Sequence, residues 1–265
     1  MEKRRKESNY VKSFSSHDEV ESYRELEQTF RDSPIFPGEI LANLGLFLTR
    51  ASMARILFMH DLYLKILDVP GCIIELGTHW GQNVALFSTF RSIYEPQNIS
   101  RTVVGFDTFE GFTTASAQDG NLTTDVAGLS ENDNASIDRG GVTENYDAVL
   151  DRILDCHNRL GARPQIKKYE IVKGDVTQTL PAFLERNPET LIALIYFDLG
   201  LYEPTRKCLE LIKDRLAKGS VIGLDHLTMH GLPGDSIAVK EVLGYRNCRF
   251  VRDARVPYQS YLVVE

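Results

Sequence analysis

Two apolar runs in the sequence each end on an aspartate. One is Leu191-Ile-Ala-Leu-Ile-Tyr-Phe-Asp198; the other is Gly219-Ser-Val-Ile-Gly-Leu-Asp225, with His226 directly after it. Two carboxylates delivered to one edge repel each other unless one is protonated or a cation lies between them. Oxygen donors on an exposed rim suit Mg²⁺, which keeps several waters and leaves positions for substrate oxygens. The plainer alternative is that Asp198 and Asp225 cap the helices after their strands. Upstream, Glu75-Leu-Gly77-Thr78-His-Trp-Gly81 closes another apolar run with the spacing Glu-x-Gly-x-x-x-Gly. That spacing is not the Gly-x-Gly-x-x-Gly that cradles a dinucleotide pyrophosphate. An acid there suits an amino acid or sulfonium cation better than a phosphate. Asp107, followed by Thr108, and Gly174-Asp175 end two further runs. A carboxylate at the end of a second strand can accept hydrogen bonds from ribose hydroxyls.

The elements that must position these groups follow from periodicity. Residues 72–76 read as a strand, about 82–93 as a helix, 101–107 as a second strand, and 146–160 as a helix. A strand at 169–172, a helix at 179–185 and a central strand at 191–198 come next. They are followed by a helix at 204–216, a strand at 219–225, a short helix at 237–243, and two closing strands at 248–252 and 258–264. The last two have no room for a helix between them and are expected to be antiparallel. The chain is thus an α/β protein with a mostly parallel sheet of seven strands and a C-terminal antiparallel hairpin. Ligands of such sheets bind beyond the carboxyl ends of the strands, which is where every acid named above lies. Residues 17–30 form an expected amphipathic helix. Leu41, Leu44, Phe47, Leu48, Ala51, Ile56, Leu57 and Leu64 suggest one or two more over 39–67, covering the sheet or roofing the ligand site. Residues 1–69 are therefore read as an N-terminal helical extension and 70–265 as the α/β domain that carries the strand-end acids. The polar, aperiodic stretch of about 111–145 reads as a lid or a mobile loop.

The composition narrows the function classes. A chain of 265 residues with a net charge of −7 lacks the basic balance of a sequence-independent nucleic-acid binder. Its four cysteines, Cys72, Cys156, Cys208 and Cys248, are scattered without a Cys-x-x-Cys pair, as expected for reduced thiols in a cytoplasmic protein. The polar start is not a secretory signal, and no apolar run reaches the ~18 residues of a membrane span. The partners expected are small molecules, with no nucleic acid and no membrane, in a chain that could form a homo-oligomer.

Four segments carry a family resemblance: Phe106-Asp107-Thr108-Phe109-Glu110-Gly111-Phe112, Gly174-Asp175-Val176-Thr177-Gln178-Thr179-Leu180-Pro181, Asp198 to Thr205, and Leu232-Pro233-Gly234-Asp235. With the glycine motif before them, they resemble the macrocin-type sugar O-methyltransferases, a class I S-adenosylmethionine (SAM) family. The resemblance runs in order from about residue 70 to the C-terminus. It implies a Rossmann-like fold, SAM as cofactor, a Mg²⁺ site, and a sugar or glycosylated metabolite as acceptor. By that resemblance Glu75, Gly77, Thr78 and Gly81 hold the methionine part of SAM, Asp107 with Thr108 the ribose, and Gly174-Asp175 the adenine side. Asp198 and Asp225 match the metal ligands, and Asp198 also borders the cofactor. The family's usual second aspartate stands as Gly200 here, and its second acid after the later ligand stands as His226. His226 is then either a metal ligand or the base that replaces the missing acid. The base is the preferred expectation, because an imidazole titrates near neutral pH. Tyr202 and His230 are further candidates for lining the acceptor pocket. Two other classes stay open at this point: a SAM-binding subunit without catalysis, and a nicotinamide-dependent oxidoreductase.

Overall fold

Short runs rich in Ile, Val, Leu and Phe pair side by side to form the centre of the molecule. The structure is a computed structural model that describes residues 16–112, 116–119, 141–229 and 231–265. Its strands are β1 (Cys72–Leu76), β2 (Val103–Asp107), β3 (Tyr169–Lys173), β4 (Ile192–Phe197), β5 (Leu216–Leu224), β6 (Phe250–Arg252) and β7 (Ser260–Val263). They form one seven-stranded sheet in the order β3-β2-β1-β4-β5-β7-β6. β1 to β5 pair in parallel, and β7 joins β5 and β6 antiparallel, as the sequence led us to expect. Every residue of β1 and β4 is buried, which explains their unbroken apolar runs. The strand order reverses between β1 and β4, the crevice where open α/β sheets take their ligands. Glu75 and Asp198 flank it.

The helices are α1 (His17–Arg31), α2 (Arg50–Leu64), α3 (Gln82–Tyr94), α4 (Tyr146–Leu160), α5 (Val176–Arg186), α6 (Tyr202–Ile212) and α7 (Gly234–Val242). Shorter helical turns lie at Pro37–Ile40, Leu41–Phe47, Ala117–Asp119 and Lys213–Arg215. One face of the sheet packs Phe58, Leu62, Phe87, Phe90 and Leu150 from α2, α3 and α4. The other packs Leu180, Phe183, Cys208, Leu209 and Val239 from α5, α6 and α7.

Several element ends shift by two to four residues from the expectation, and one helix turns a different face inward; β5 runs Leu216–Leu224, α7 Gly234–Val242 and β6 Phe250–Arg252. Helix α5 starts at Val176, not 179, because Asp175 caps it by accepting the Thr177 N–H (2.8 Å). Helix α6 stops at Ile212, not 216, because Leu216 pairs with Ile192 in the sheet. In α2 the buried face is Ala54, Phe58, Met59, Leu62 and Tyr63. Of the residues expected to cover the sheet, Leu41, Leu44, Leu48, Ala51, Leu57 and Leu64 are exposed, and Phe47 and Ile56 half-buried. Segment 39–67 is apolar on all sides, so periodicity alone did not select its inner face. Most of the expected lid, and His230, lie outside the described residues. The flanks of that stretch are tied by a bridge between Glu110 and Gly141.

At the opposite, amino end of the strands one buried ion pair joins three elements. Arg101, with its side chain 1% exposed, reaches both oxygens of Glu95 (2.9 and 3.0 Å) and the carbonyls of Ile66, Val69 and Gly71. Tyr63 also donates to Glu95. This knot fixes the exit of α2, the entry to β1 and the end of α3.

Candidate active site

The turn after β1 is shaped by Gly77, whose φ is +90° and whose missing Cβ would collide with the Asp198 carbonyl. Glycine is required there on both counts. Gly81, φ +80°, opens α3, and a Cβ at that position would run into Leu150. Thr78 is buried and turned toward the Phe106 carbonyl. Asp107 organises the two neighbouring turns: Oδ2 accepts the His79 N–H (2.7 Å) and Oδ1 the Phe109 N–H (2.6 Å). Both donors sit at positive φ, 48° and 60°, in a conformation that needs such support. Each Asp107 oxygen keeps a further lone pair for a ligand.

One open groove runs across these strand ends. Gly77, Asp107, Thr108, Gly174, Asp175, Asp198 and His226 all line it, together with His79, Phe112 and Leu199. Seven of the residues singled out from sequence thus face one space. Glu75, Thr78, Gly81 and Asp225 are not on its wall. Glu75 lies beneath it, 1% exposed, with Oε1 accepting from Asn83 (2.6 Å) and Oε2 without a partner among the described residues. Burial and the nearby Asp198 push its carboxyl well above the usual range. Tyr202 points elsewhere, its hydroxyl on Glu241 (2.6 Å). A second cavity, of about 360 Å³, lies between α2 and the terminal hairpin, lined by Phe58, Asp61, Lys65, Arg252, Asp253 and Tyr261. It contains none of the strand-end groups.

At the Asp198 end of the groove the charges are arranged with care for each oxygen. Asp198 Oδ2 accepts from Arg55 Nη2 (2.8 Å). Asp225 Oδ1 accepts from Arg55 Nη1 (2.9 Å), the Tyr196 hydroxyl (2.5 Å) and Gln259 Nε2 (3.1 Å). The other two oxygens, Asp198 Oδ1 and Asp225 Oδ2, converge on His226 Nε2 at 3.7 and 3.5 Å. His226 Nδ1 faces Asp235 Oδ2 at 3.4 Å without hydrogen-bond geometry. Burial pushes the Asp198 carboxyl up, as does Asp225, to about 6. For Asp225 burial acts the same way, but Arg55, His226, Tyr196 and Gln259 outweigh it and hold the group down. Burial opposes charge on His226 too, yet Asp235, Asp225 and Asp198 outweigh it and raise the imidazole to about 9.

This donor set fits a divalent cation. Asp198, Asp225 and His226 each offer an atom, and all three lie within 4.8 Å of one another. For metal–ligand bonds of ~2.1 Å, neighbouring ligands stand roughly 3.0 Å apart and opposite ones roughly 4.2 Å; the 3.5 and 3.7 Å separations fall between. Among the described residues, the two oxygens of Asp198 and Asp225 without a hydrogen bond are the two that face His226 Nε2.

Comparison with solved structures decides the family. The chain is 36% identical to CalS11, a calicheamicin methyltransferase, over 99% of both chains, with a TM-score of 0.86. It belongs to the sugar O-methyltransferases of the class I SAM-dependent family. The apo structure of CalS11, a TDP-rhamnose 3'-O-methyltransferase, matches at 34% identity over 97% of this chain and 99% of that one, with a TM-score of 0.81. The O-methyltransferase NovP, at 16% identity over 80% and 79% of the two chains and a TM-score of 0.58, shares the fold. No protein-family model and no curated protein matches the sequence. The methyltransferase is therefore a SAM-dependent enzyme, and the oxidoreductase alternative falls away.

Sequence reasoning missed Arg55, Asn83, Tyr196 and Gln259. Arg55 left a signal. It stands on the α2 stripe 55-58-59-62, whose other members are apolar and fully buried. A lone cation on a buried stripe needs an anion to meet it.

Proposed function

We propose that this methyltransferase moves the methyl group of SAM to a hydroxyl of a nucleotide-linked deoxysugar or a related sugar-bearing small molecule, assisted by a divalent cation. The acceptor class rests on one observation, the end-to-end likeness to CalS11, a TDP-rhamnose 3'-O-methyltransferase. SAM would lie along the groove, its ribose against Asp107 and Thr108 and its adenine beside Gly174 and Asp175. Its methionine end would come to Gly77, over Glu75, whose unpartnered Oε2 suits a cationic group. Thr78 and Gly81 would act by shaping the turn.

In the reaction the acceptor oxygen bonds to the methyl carbon as the sulfur–carbon bond breaks, S-adenosylhomocysteine (SAH) leaves, and the hydroxyl proton passes to solvent water. Asp198, Asp225 and His226 would hold the divalent cation, which supplies Lewis-acid assistance to a hydroxyl that is otherwise almost wholly protonated. We assign His226 Nε2 the role of third ligand instead of base. It is the nitrogen that faces both free carboxylate oxygens, and one nitrogen cannot both ligate and accept a proton. An imidazole ligand favours Mn²⁺ or Co²⁺ over Mg²⁺. Asp198, on the groove wall, orients the acceptor next to the methyl group, and such positioning supplies on the order of 7–11 kcal/mol in favourable cases.

The test is mass spectrometry of products after incubation with SAM and a panel of acceptors: nucleotide-linked deoxysugars, free glycosides and a catechol. The proposal expects methylation of the nucleotide sugars. Methylation of the catechol alone would overturn the acceptor class.

A further inference from the structure

The charge between Asp198 and Asp225 comes from α2, in the segment before the first strand. Arg55 gives one nitrogen to each carboxylate, Nη2 to Asp198 Oδ2 and Nη1 to Asp225 Oδ1, at 2.8 and 2.9 Å. Its Nε reaches toward Asn83 Oδ1 (3.4 Å), and Asn83 donates to Glu75 (2.6 Å). A single guanidinium so connects the ends of β1, β4 and β5. Its fork matters as much as its charge. Because each carboxylate commits one oxygen to Arg55, the second oxygen of each is turned toward His226.

We propose that Arg55 is a positioning residue of the methyl transfer: it is the built-in cation that holds the Asp198–Asp225 pair in register and weakens the pair's grip on a divalent ion. Two consequences of opposite sign follow. The guanidinium's positive charge opposes a second cation a few ångströms away, so removing it tightens ion binding. The same removal frees both carboxylates to rotate and unlinks them from Asn83 and Glu75, so turnover falls even when the ion site is full. Lysine separates the two effects. It keeps the charge but is a point charge on a flexible stem and cannot take both carboxylates in a fixed fork. The affinity arm rests on the divalent-cation reading above; the turnover arm does not.

The experiment compares wild type, Arg55→Met and Arg55→Lys. Mn²⁺ affinity is measured by electron paramagnetic resonance of the free ion, without SAM or acceptor. SAH affinity is measured by calorimetry, and kcat and KM at saturating Mn²⁺. Arg55→Met is expected to bind Mn²⁺ at least tenfold more tightly, with SAH affinity within threefold of wild type and kcat down at least tenfold. Arg55→Lys is expected to keep wild-type Mn²⁺ affinity and SAH affinity but to lose kcat. If wild type binds Mn²⁺ and Arg55→Met binds it equally or more weakly, the proposal is overturned while the cation reading stands. If wild type binds no Mn²⁺, the cation reading falls, and kcat of the lysine variant decides alone: a loss keeps the positioning role, and a wild-type value removes it. Should Arg55→Met not fold, Arg55→Gln replaces it in the Mn²⁺ comparison with the same expected tightening, and the lysine variant decides the turnover arm.

Discussion

At the scale of single residues, the site works by dividing the oxygens of each carboxylate between protein and ligand. His226 is where this division can be tested. If it is a ligand, His226→Ala weakens Mn²⁺ binding, and raising Mn²⁺ restores much of the lost turnover; if it is a base, added metal restores nothing. Titrating Mn²⁺ into the variant's assay separates the two. Asp107 can be tested through the cofactor. Asp107→Ala should lose roughly 1.5–3 kcal/mol of SAH affinity, the range for hydrogen bonds to a charged group. It should also lower the melting temperature, since Asp107 holds the N–H groups of His79 and Phe109. Unchanged affinity in calorimetry would make Asp107 only the support of its turns. The acids at strand ends were legible because an apolar run that stops on a carboxylate states both its strand and its edge. Arg55 was hidden because its partners are 143 and 170 residues away in sequence. The likeness of His226 to a base was legible too, but its spacing from three aspartates was not. Those aspartates raise the imidazole to about 9, so a divalent cation would have to displace a proton from Nε2 to take it as a ligand.

At the scale of elements, the parallel strands and the closing hairpin followed from hydrophobic period and loop length. The inner face of α2 did not, because its segment carries leucines all round. What fixes α2 is its two ends: Arg55 near the start and Tyr63 in the Arg101–Glu95 knot. Removing Arg101 would leave half-buried Glu95 without its cation, with only Tyr63 and Asn98 still donating to it, so Arg101→Met should cost about 3 kcal/mol of stability, the low end for breaking a buried pair. The knot also sets an acid limit. Burial pushes the Glu95 carboxyl up, but hydrogen bonds from Arg101, Tyr63 and Asn98 outweigh it and hold it below its usual value. A carboxyl depressed in the folded state stabilises fully above the unfolded value of ~4.3 and loses that contribution as pH falls through the folded value. Chemical denaturation of wild type and Glu95→Gln between pH 7 and 3 should show the wild-type advantage shrinking below about pH 4.3. A constant difference across that range would remove Glu95 from the acid transition.

At the scale of the whole molecule, the sheet brings to one groove groups that lie far apart in the chain, and the helices before β1 supply the cation that balances them. Helix α1 contributes little to that balance, since none of its residues is buried. Removing residues 1–33 should therefore leave SAH affinity unchanged and move the melting temperature by no more than about 2–4 °C, the equivalent of ~1 kcal/mol. A larger loss would mean that α1 is held by contacts beyond this chain, as in an oligomer. The central claim is that Asp198, Asp225 and His226 use a divalent cation to methylate a sugar hydroxyl from SAM. It is tested most directly by following methylation of whichever nucleotide-linked deoxysugar the acceptor panel identifies, in enzyme stripped with a chelator, before and after adding back Mn²⁺. The account predicts that stripped enzyme still binds SAH but methylates at least tenfold more slowly, and that Mn²⁺ restores the rate in wild type but not in Asp198→Asn. Full turnover in the stripped enzyme would contradict it.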